Sequence, residues 1–305
     1  MGVESTSTHL HWEARFQDAY ARFLTDSDFR KLVLNPSADD DMVADLSRAD
    51  LDRLRAMDQG RVELFAGCLF TNRMAAIAEA FPLSFKVIGS AVPGLVRALD
   101  RRDVATDTRK YAEAVRFADF VLNGDDAHAR SLPDAALGLL RYELILLNLR
   151  VRPQRPADSA IHSDDALHQA LSQDCDVVPV LNRNHALLAV DYDLETLRDL
   201  DLDVTSLAAA EATMIVLLHR DENGVVHEKS LNQASAAAIL MIDGTRTFRA
   251  LVAAYAAWLD RASDASLEEG LKELCVNLCA CGALCFEPVS AETCEHAGRP
   301  TQCRA

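Results

Sequence analysis

Residues 213–245 read TMIVLLHRDENGVVHEKSLNQASAAAILMIDGT, and this stretch decides the fold of the carboxy-terminal part of the chain. Thr213–Leu218 is rich in β-branched residues and Leu, which favours a strand. Asp221-Glu222-Asn223-Gly224 has the residue types of a hairpin turn, and Val225–Leu231 follows it as the returning strand. The stretch therefore predicts a β-hairpin.

Two helices are predicted directly after this hairpin, and each has a residue that can cap its first turn. Asn232 can cap a helix over Ala234–Ile242, which Asp243-Gly244 ends. Thr247 can cap a second helix over Phe248–Leu259.

The third and last predicted helix opens with Ser266-Leu267-Glu268-Glu269. In such a capping box the Ser266 hydroxyl and the Glu269 carboxylate accept hydrogen bonds from each other's otherwise unpaired backbone amides. The helix is predicted to run to about Ala283. A β-hairpin that leads into three helices is a winged-helix-like unit.

The first half of the chain has a helical pattern throughout. Residues 12–152 carry apolar residues at helical spacing, beginning with the stripe Phe16, Tyr20, Phe23 and Leu24. Pro82 has no amide to donate and restricts the residue before it, so we predict a kink or a corner between helices there. Further helices are predicted over Tyr111–Leu122 and Asp134–Asn148.

After Arg150 the sequence becomes rich in Pro, Asp and Ser, which indicates a connection rather than a continuing helix. A short helix is predicted over Asp164–Ser172, and Val177–Val180 followed by Ala186–Val190 predicts one or two strands. The predicted fold class is α+β. Its parts are an all-helical domain over residues 1–152, a connecting α/β segment over 153–211, the winged-helix-like domain over 212–287 and a flexible tail over 288–305.

Composition and charge restrict the function. The chain has 305 residues and a formal net charge of −16, which opposes binding to nucleic acid. Residues 1–12 contain Glu4 and no apolar run, and no stretch reaches the roughly 18 apolar residues that cross a bilayer. We therefore expect a cytoplasmic protein that binds neither a membrane nor nucleic acid.

The carboxy-terminal pattern resembles a known family of peptide-binding domains. Val225–Leu240, followed by Asp243-Gly244-Thr245-Arg246-Thr247, resembles the PqqD-like recognition element of ribosomally synthesised, post-translationally modified peptides (RiPPs). In that family a strand ends in Leu-Asn, a helix of small residues follows, and an Asp-Gly-x-x-Ser/Thr turn opens the second helix. A small Gly-Leu or Gly-Ala unit closes the third helix, and here that unit is Gly282-Ala283-Leu284. The resemblance covers about Met214–Phe286.

The helical domain resembles a second family. Arg22-Phe23-Leu24 with Thr25-Asp26, the stop Leu34-Asn35-Pro36 and the segment Ala80-Phe81-Pro82-Leu83 are similar to partner subunits of multinuclear non-haem iron peptide-modifying enzymes. A helical domain with a carboxy-terminal recognition element is the TglI type, from 3-thiaglutamate biosynthesis. The resemblance implies a non-catalytic, cofactor-free subunit. Its iron-containing, TIM-barrel-type partner enzyme would oxidise a cysteine of the precursor peptide, in the closest pathway by excising its β-carbon.

The resemblance also implies a set of peptide-binding residues, because in this family the leader peptide lies beside the third strand and against the third helix. An unpaired strand edge can accept an extended peptide as an additional strand. The implied strand residues are Val225, Val226, His227, Glu228, Lys229 and Ser230. The implied helix residues are Leu267, Leu271, Leu274, Cys275 and Leu278. This apolar row recurs every three or four residues, which is also the pattern of a core beneath the hairpin, and the sequence leaves both interpretations open.

Two other functions fit parts of the sequence. A winged-helix unit suggests a transcriptional regulator, but residues 213–285 contain six Lys and Arg against nine Asp and Glu, which repels duplex phosphate. A Cys-rich metal-binding adaptor is suggested by Cys275, Cys279, Cys281 and Cys285. On a continuous helix these four thiols divide between nearly opposite faces, which favours small buried residues over metal ligands.

Overall fold

The computed structural model describes residues 4–35, 46–102, 109–152, 177–192, 209–221 and 223–288. The fold is mixed α+β, mostly helical, with small antiparallel sheets. The chain forms two compact units: the first comprises residues 1–144 and 195–207, and the second comprises 145–194 and 208–305.

The first unit is built from helices. They are α1 (Glu4–Thr25), α2 (Ser27–Leu34), α3 (Arg48–Arg55), α4 (Gln59–Ala80), α5 (Pro82–Ile88), α6 (Val92–Arg102), α7 (Lys110–Asn123), α8 (Ala127–Arg130) and α9 (Asp134–Val151). The helices predicted over Tyr111–Leu122 and Asp134–Asn148 are confirmed as α7 and α9. The last residues of α9 belong to the second unit.

Buried aromatic and aliphatic side chains hold these helices together. Phe23 and Leu24 of the predicted stripe are buried with Phe29 and Leu54, whereas Tyr20 of the same stripe is exposed. Full burial of one such side chain contributes about 1.5–3 kcal/mol relative to exposure. The amphipathic pattern of the sequence thus identifies the inner face of α1, with Tyr20 at its margin.

The predicted corner at Pro82 is confirmed. Helix α4 ends at Ala80 and α5 begins at Pro82, which stands at the first position of a helix, where a missing N–H is tolerated. The buried Glu143 carboxylate accepts hydrogen bonds from the Leu83 and Ser84 amides at 3.0 and 2.8 Å. This carboxylate therefore caps the first turn of α5.

The second unit contains two antiparallel sheets. Its strands are β1 (Val177–Leu181), β2 (His185–Tyr192), β3 (Ala209–Arg220), β4 (Val226–Leu231) and β5 (Leu284–Pro288). One sheet has the order β2-β3-β4, and β1 pairs with β5 in the other. The predicted hairpin is confirmed as β3 and β4, with Gly224 in the left-handed conformation that this turn requires (φ +85°). The segments predicted before it as one or two strands form two, β1 and β2.

Three helices follow β4, namely α10 (Gln233–Leu240), α11 (Phe248–Trp258) and α12 (Ala265–Ala280). Asn232 and Thr247 cap α10 and α11 as predicted. The predicted capping box at Ser266 is wrong. Asp264 caps α12, because its carboxylate lies nearer the true first turn and accepts from the Leu267 amide at 2.8 Å.

Helix α12 also ends three residues earlier than predicted, at Ala280. The Ala283 amide donates to the Leu278 carbonyl and the Gly282 amide donates to the Cys279 carbonyl, both at 2.9 Å. This is a Schellman motif, with Gly282 at the left-handed position (φ +75°). The early stop frees Leu284–Pro288 to form β5, a strand that the sequence pattern did not predict.

Some predicted features lie outside the described residues. These are the helix over Asp164–Ser172, most of the connecting segment 153–211 and the tail beyond Pro288. In the described ranges no single helix is long and apolar enough to cross a membrane; only a pair of helices bent by 115°, 59–80 with 82–102, passes that test together.

Candidate functional site: the outer edge of strand β4

Strand β4 is paired on one side. Its register with β3 runs from Arg220 opposite Val226 to Ile215 opposite Leu231. It is the last strand in the order β2-β3-β4, and among the described residues no other strand pairs with it. Its second edge is therefore open within this part of the chain.

Two backbone hydrogen bonds identify the groups that face outward. The Asp221 amide donates to the Val225 carbonyl at 2.9 Å, and the Arg220 amide donates to the Asn184 carbonyl at 2.9 Å. Residue 221 thus faces β4 and residue 220 faces β2. Because antiparallel pairs alternate, the N–H and C=O groups of residues 227, 229 and 231 bond to β3, and those of Val226, Glu228 and Ser230 point outward. The outward groups span about 14 Å of strand.

The side chains of β4 alternate between the two faces of the sheet. Lys229 is in register with Leu217, whose side chain is buried in the core that α10, α11 and α12 share with the sheet. His227, Lys229 and Leu231 therefore project on the helix side, and Val226, Glu228 and Ser230 project on the other side. Of the predicted residues, Val225 precedes the strand and is largely exposed.

A pair of stacked histidines joins the hairpin to the end of α12. The His219 and His227 rings lie 5.1 Å apart, centroid to centroid, on neighbouring strands. His219 is buried and its Nε2 lies 2.7 Å from the Cys281 carbonyl, so Nε2 carries the proton. Burial lowers the pKa of His219. This contact could not be predicted from the sequence, since 62 residues separate its partners.

The His227 side chain forms a hydrogen bond with Asp221, the first residue of the turn. Its Nε2 lies 2.8 Å from the Asp221 carboxylate, and this bond lowers the pKa of Asp221. The other Asp221 oxygen accepts from the Val225 amide at 2.8 Å. The Asp221 carboxylate therefore links the start of the turn to Val225 and to the His227 side chain.

The predicted helix residues are for the most part core. Leu267, Leu271, Cys275 and Leu278 are buried, whereas Leu274 is partly buried. Helix α12 packs mainly on α11 and β5, and the helix next to β4 is α10. Of the two interpretations that the sequence left open, core packing describes these four side chains, and Leu274 is the member of the row with a surface that a peptide can contact.

The four clustered cysteines are also engaged by the fold. Cys275 and Cys279 are buried, and burial raises the pKa of Cys275 to about 12. The Cys281 and Cys285 thiols donate to the carbonyls of Leu278 and Val180, respectively. In the described ranges no group of three or more His, Cys, Asp or Glu side chains is arranged to hold a metal ion.

The first unit contains a buried charge cluster that the sequence did not predict. Arg73 pairs with Asp100, and its Nε lies 3.2 Å from the Glu113 carboxylate. Arg116 adds contacts to the same two carboxylates at 3.8 and 3.3 Å. Burial raises the pKa of Asp100 to about 6 despite both arginines. Opposite charges balance within the cluster, which fits a structural role.

Comparison with protein families and with curated proteins adds no assignment: no family model matches the chain, and no curated protein is significantly similar to it.

Proposed function

We propose that the second unit is a winged-helix-like recognition domain that binds the leader of a ribosomal precursor peptide as an additional strand on β4. The observation that carries this proposal is the open edge, where the backbone groups of Val226, Glu228 and Ser230 point away from β3. Peptide addition to such an edge supplies affinity through main-chain hydrogen bonds and specificity through alternate side chains. The resemblance to the PqqD-like element supports the same strand.

The surface that surrounds this edge determines which predicted contacts remain available. His227, Lys229 and the partly buried Leu231 lie on the helix side of β4, and Leu274 of α12 is partly accessible. Leu267, Leu271, Cys275 and Leu278 act indirectly, because their packing holds the sheet and helices in place. The proposed binding site is therefore the strand and its immediate border.

We propose in addition that the chain is a non-catalytic subunit. It would deliver the bound peptide to a multinuclear iron oxidase of TIM-barrel type, which modifies a cysteine by 3-thiaglutamate-type β-carbon excision. The resemblance of the helical domain supports this part. The first unit also exposes Leu64 and Phe65 next to each other on α4, a kind of surface that partner subunits commonly cover.

The charge of the second unit favours a peptide over DNA. Helix α12 would be the recognition helix of a DNA-binding winged helix, and it exposes Glu268, Glu269 and Glu273. These carboxylates repel duplex phosphate.

Peptide binding is tested with fluorescein-labelled leader segments of the short peptides encoded beside the gene for this chain. Glu228→Pro removes an outward N–H without removing a bond to β3, and proline is tolerated at a sheet edge. The matched control is Ala189→Pro, since Ala189 is exposed and its N–H points away from β3 on the other edge strand. We expect fluorescence anisotropy to show micromolar binding by the wild type and the control, and at least a tenfold loss for Glu228→Pro. Equal affinities in the two variants would refute binding at β4.

The partner is tested separately by co-expression with each neighbouring reading frame. We expect a stable complex with one iron-containing protein, recognised by co-elution and by iron analysis of the complex. Failure of every neighbouring iron protein to co-elute would contradict the delivery role and leave peptide binding intact.

A further inference from the structure

Lys229 places a positive charge at the open edge of β4. Its register with the buried Leu217 directs the side chain to the helix side of the sheet, and it is half-buried there. The neighbouring strand β3 is paired on both sides. A further strand can therefore join the sheet next to Lys229 only at the open edge of β4. Lys229 is therefore a contact for an added strand.

This charge has no carboxylate partner in the part of the chain that the structure describes, where no Asp or Glu oxygen lies within 4.0 Å of the Lys229 amine. Asp221 bonds to His227 instead, 2.8 Å away. Glu228 projects from the opposite face of the strand. The amine is also close enough to His219 that its positive charge helps to lower the pKa of that buried ring. On the helix side of the edge, Asp221 is thus engaged by His227, and among the described residues Lys229 has no carboxylate of its own.

The geometry of an added strand fixes which peptide residue meets Lys229. When the peptide adds antiparallel to β4, its residues that bond to Val226, Glu228 and Ser230 place their side chains on the far face. The peptide residue opposite Lys229 places its side chain on the helix side, with Cβ atoms about 4.5–5.5 Å apart. The peptide residue two positions along lies opposite Leu231, which packs against the core. This spacing is the same for both strand directions.

We propose that the peptide that adds to β4 carries an acidic side chain opposite Lys229 and an apolar side chain two residues away, opposite Leu231. This inference rests on the proposed function, and it adds the chemical class of the ligand. An acidic residue supplies the missing counter-charge, and an apolar residue extends the core surface that Leu231 begins. A basic peptide residue opposite Lys229 would bring two positive charges together where both are partly removed from water.

The experiment is a selection of randomised extended peptides, displayed on phage, against immobilised full-length protein. It compares the wild type with Lys229→Glu, which reverses the charge. The matched control is Arg183→Glu, which changes the net charge equally at an exposed position between β1 and β2. Individual synthetic peptides from the selection, each with its acidic residue replaced by Lys, then give affinities by anisotropy at low and high salt.

We expect the wild type and Arg183→Glu to enrich an acidic residue two positions from an apolar one, and Lys229→Glu to enrich Lys or Arg at the same position. Replacing the acid by Lys should weaken binding to the wild type about fivefold, less at high salt, and strengthen binding to Lys229→Glu. Peptides without a charge preference, or with the same preference in both proteins, would overturn this inference and leave edge binding in place. If the wild type enriches no peptide, the proposed function fails, and this inference fails with it.

Discussion

At the scale of single residues, the buried charges of the first unit carry the greatest electrostatic cost. Arg73 is the central cation, because it contacts both Asp100 and Glu113, and all three side chains are buried. A buried ion pair adds little net stability compared with apolar residues, but removal of one partner leaves the other charge uncompensated.

Arg73→Ala should therefore destabilise the first unit by about 3–5 kcal/mol, because Asp100 and Glu113 would lose the more deeply buried of the two arginines that contact them. Arg61→Ala on the same helix is the control. Arg61 is exposed, and its pair with Asp58 is long, so its loss should cost less than about 0.5 kcal/mol. Urea unfolding followed by circular dichroism measures both variants, and similar midpoints would show that the cluster is not structural.

His219 gives the second unit a pH dependence of known sign. Its pKa in the folded chain is below the ordinary value of 6.5, because the ring is buried. The unfolded chain therefore binds the proton first as the pH falls. Stability from the neutral ring is present above about pH 6.5 and decreases below it.

His219→Gln keeps a donor for the Cys281 carbonyl and cannot titrate, so its loss of melting temperature between pH 7.5 and 5.5 should be smaller than that of the wild type. His128→Gln, at an exposed histidine, should behave as the wild type. Comparison of variants is necessary because Asp100, with its raised pKa, contributes the opposite sign near pH 6. The same slope in His219→Gln and the wild type would contradict the buried neutral ring.

At the scale of elements, local signals in the sequence predicted much of the second unit and missed its long-range pairing. The hairpin, the Asn232 and Thr247 caps and the corner at Pro82 depend on neighbouring residues, so they could be predicted. Strand β5 could not, because its pairing partner β1 lies about a hundred residues earlier and its sequence continues the apolar pattern of α12.

In the candidate site, too, local features could be predicted from the sequence and long-range ones could not. The strand Val226–Leu231 could be predicted from its residue types, but the direction of each amide required the register of β3 with both neighbours. The apolar row of α12 has one periodicity whether it lines a groove or a core, so only packing could distinguish them. Ser266 is a residue type that often caps helices, but Asp264, two residues earlier in the chain, is the residue that caps α12.

Two glycines, Gly270 within α12 and Gly282 just after it, should change the stability in opposite directions when each is replaced by Ala. Gly282 has φ +75°, which disfavours any other residue, although an added Cβ would meet only Asp221 at 3.8 Å. Gly282→Ala should thus cost about 1 kcal/mol. Gly270 lies exposed within α12 with nothing near its Cβ position, so Gly270→Ala should add about 0.5–1 kcal/mol. Thermal unfolding measures both, and a neutral or stabilising Gly282→Ala would contradict the Schellman motif.

At the scale of the whole molecule, the two units divide the proposed work. In the proposed function, the second unit would offer the open edge of β4 to a peptide, and the first unit would offer a helical body with exposed apolar residues to a partner. The boundary falls inside α9, after residue 144 and eight residues before the predicted one at 152, because Arg220 donates to the carbonyls of Leu149 and Arg152 and so attaches the end of this helix to the sheet. The sequence pattern of α9 is helical without interruption, so it did not indicate that a boundary between units falls inside this helix.

Amide hydrogen exchange of β4, measured by NMR with and without a bound leader peptide, tests the central claim most directly. In the free protein the amides of His227, Lys229 and Leu231 should be protected by β3, and those of Val226 and Ser230 should exchange quickly. Addition of the peptide should protect Val226 and Ser230 selectively. Protection of these amides already in the free protein, or unchanged exchange in the presence of a bound peptide, would contradict the account.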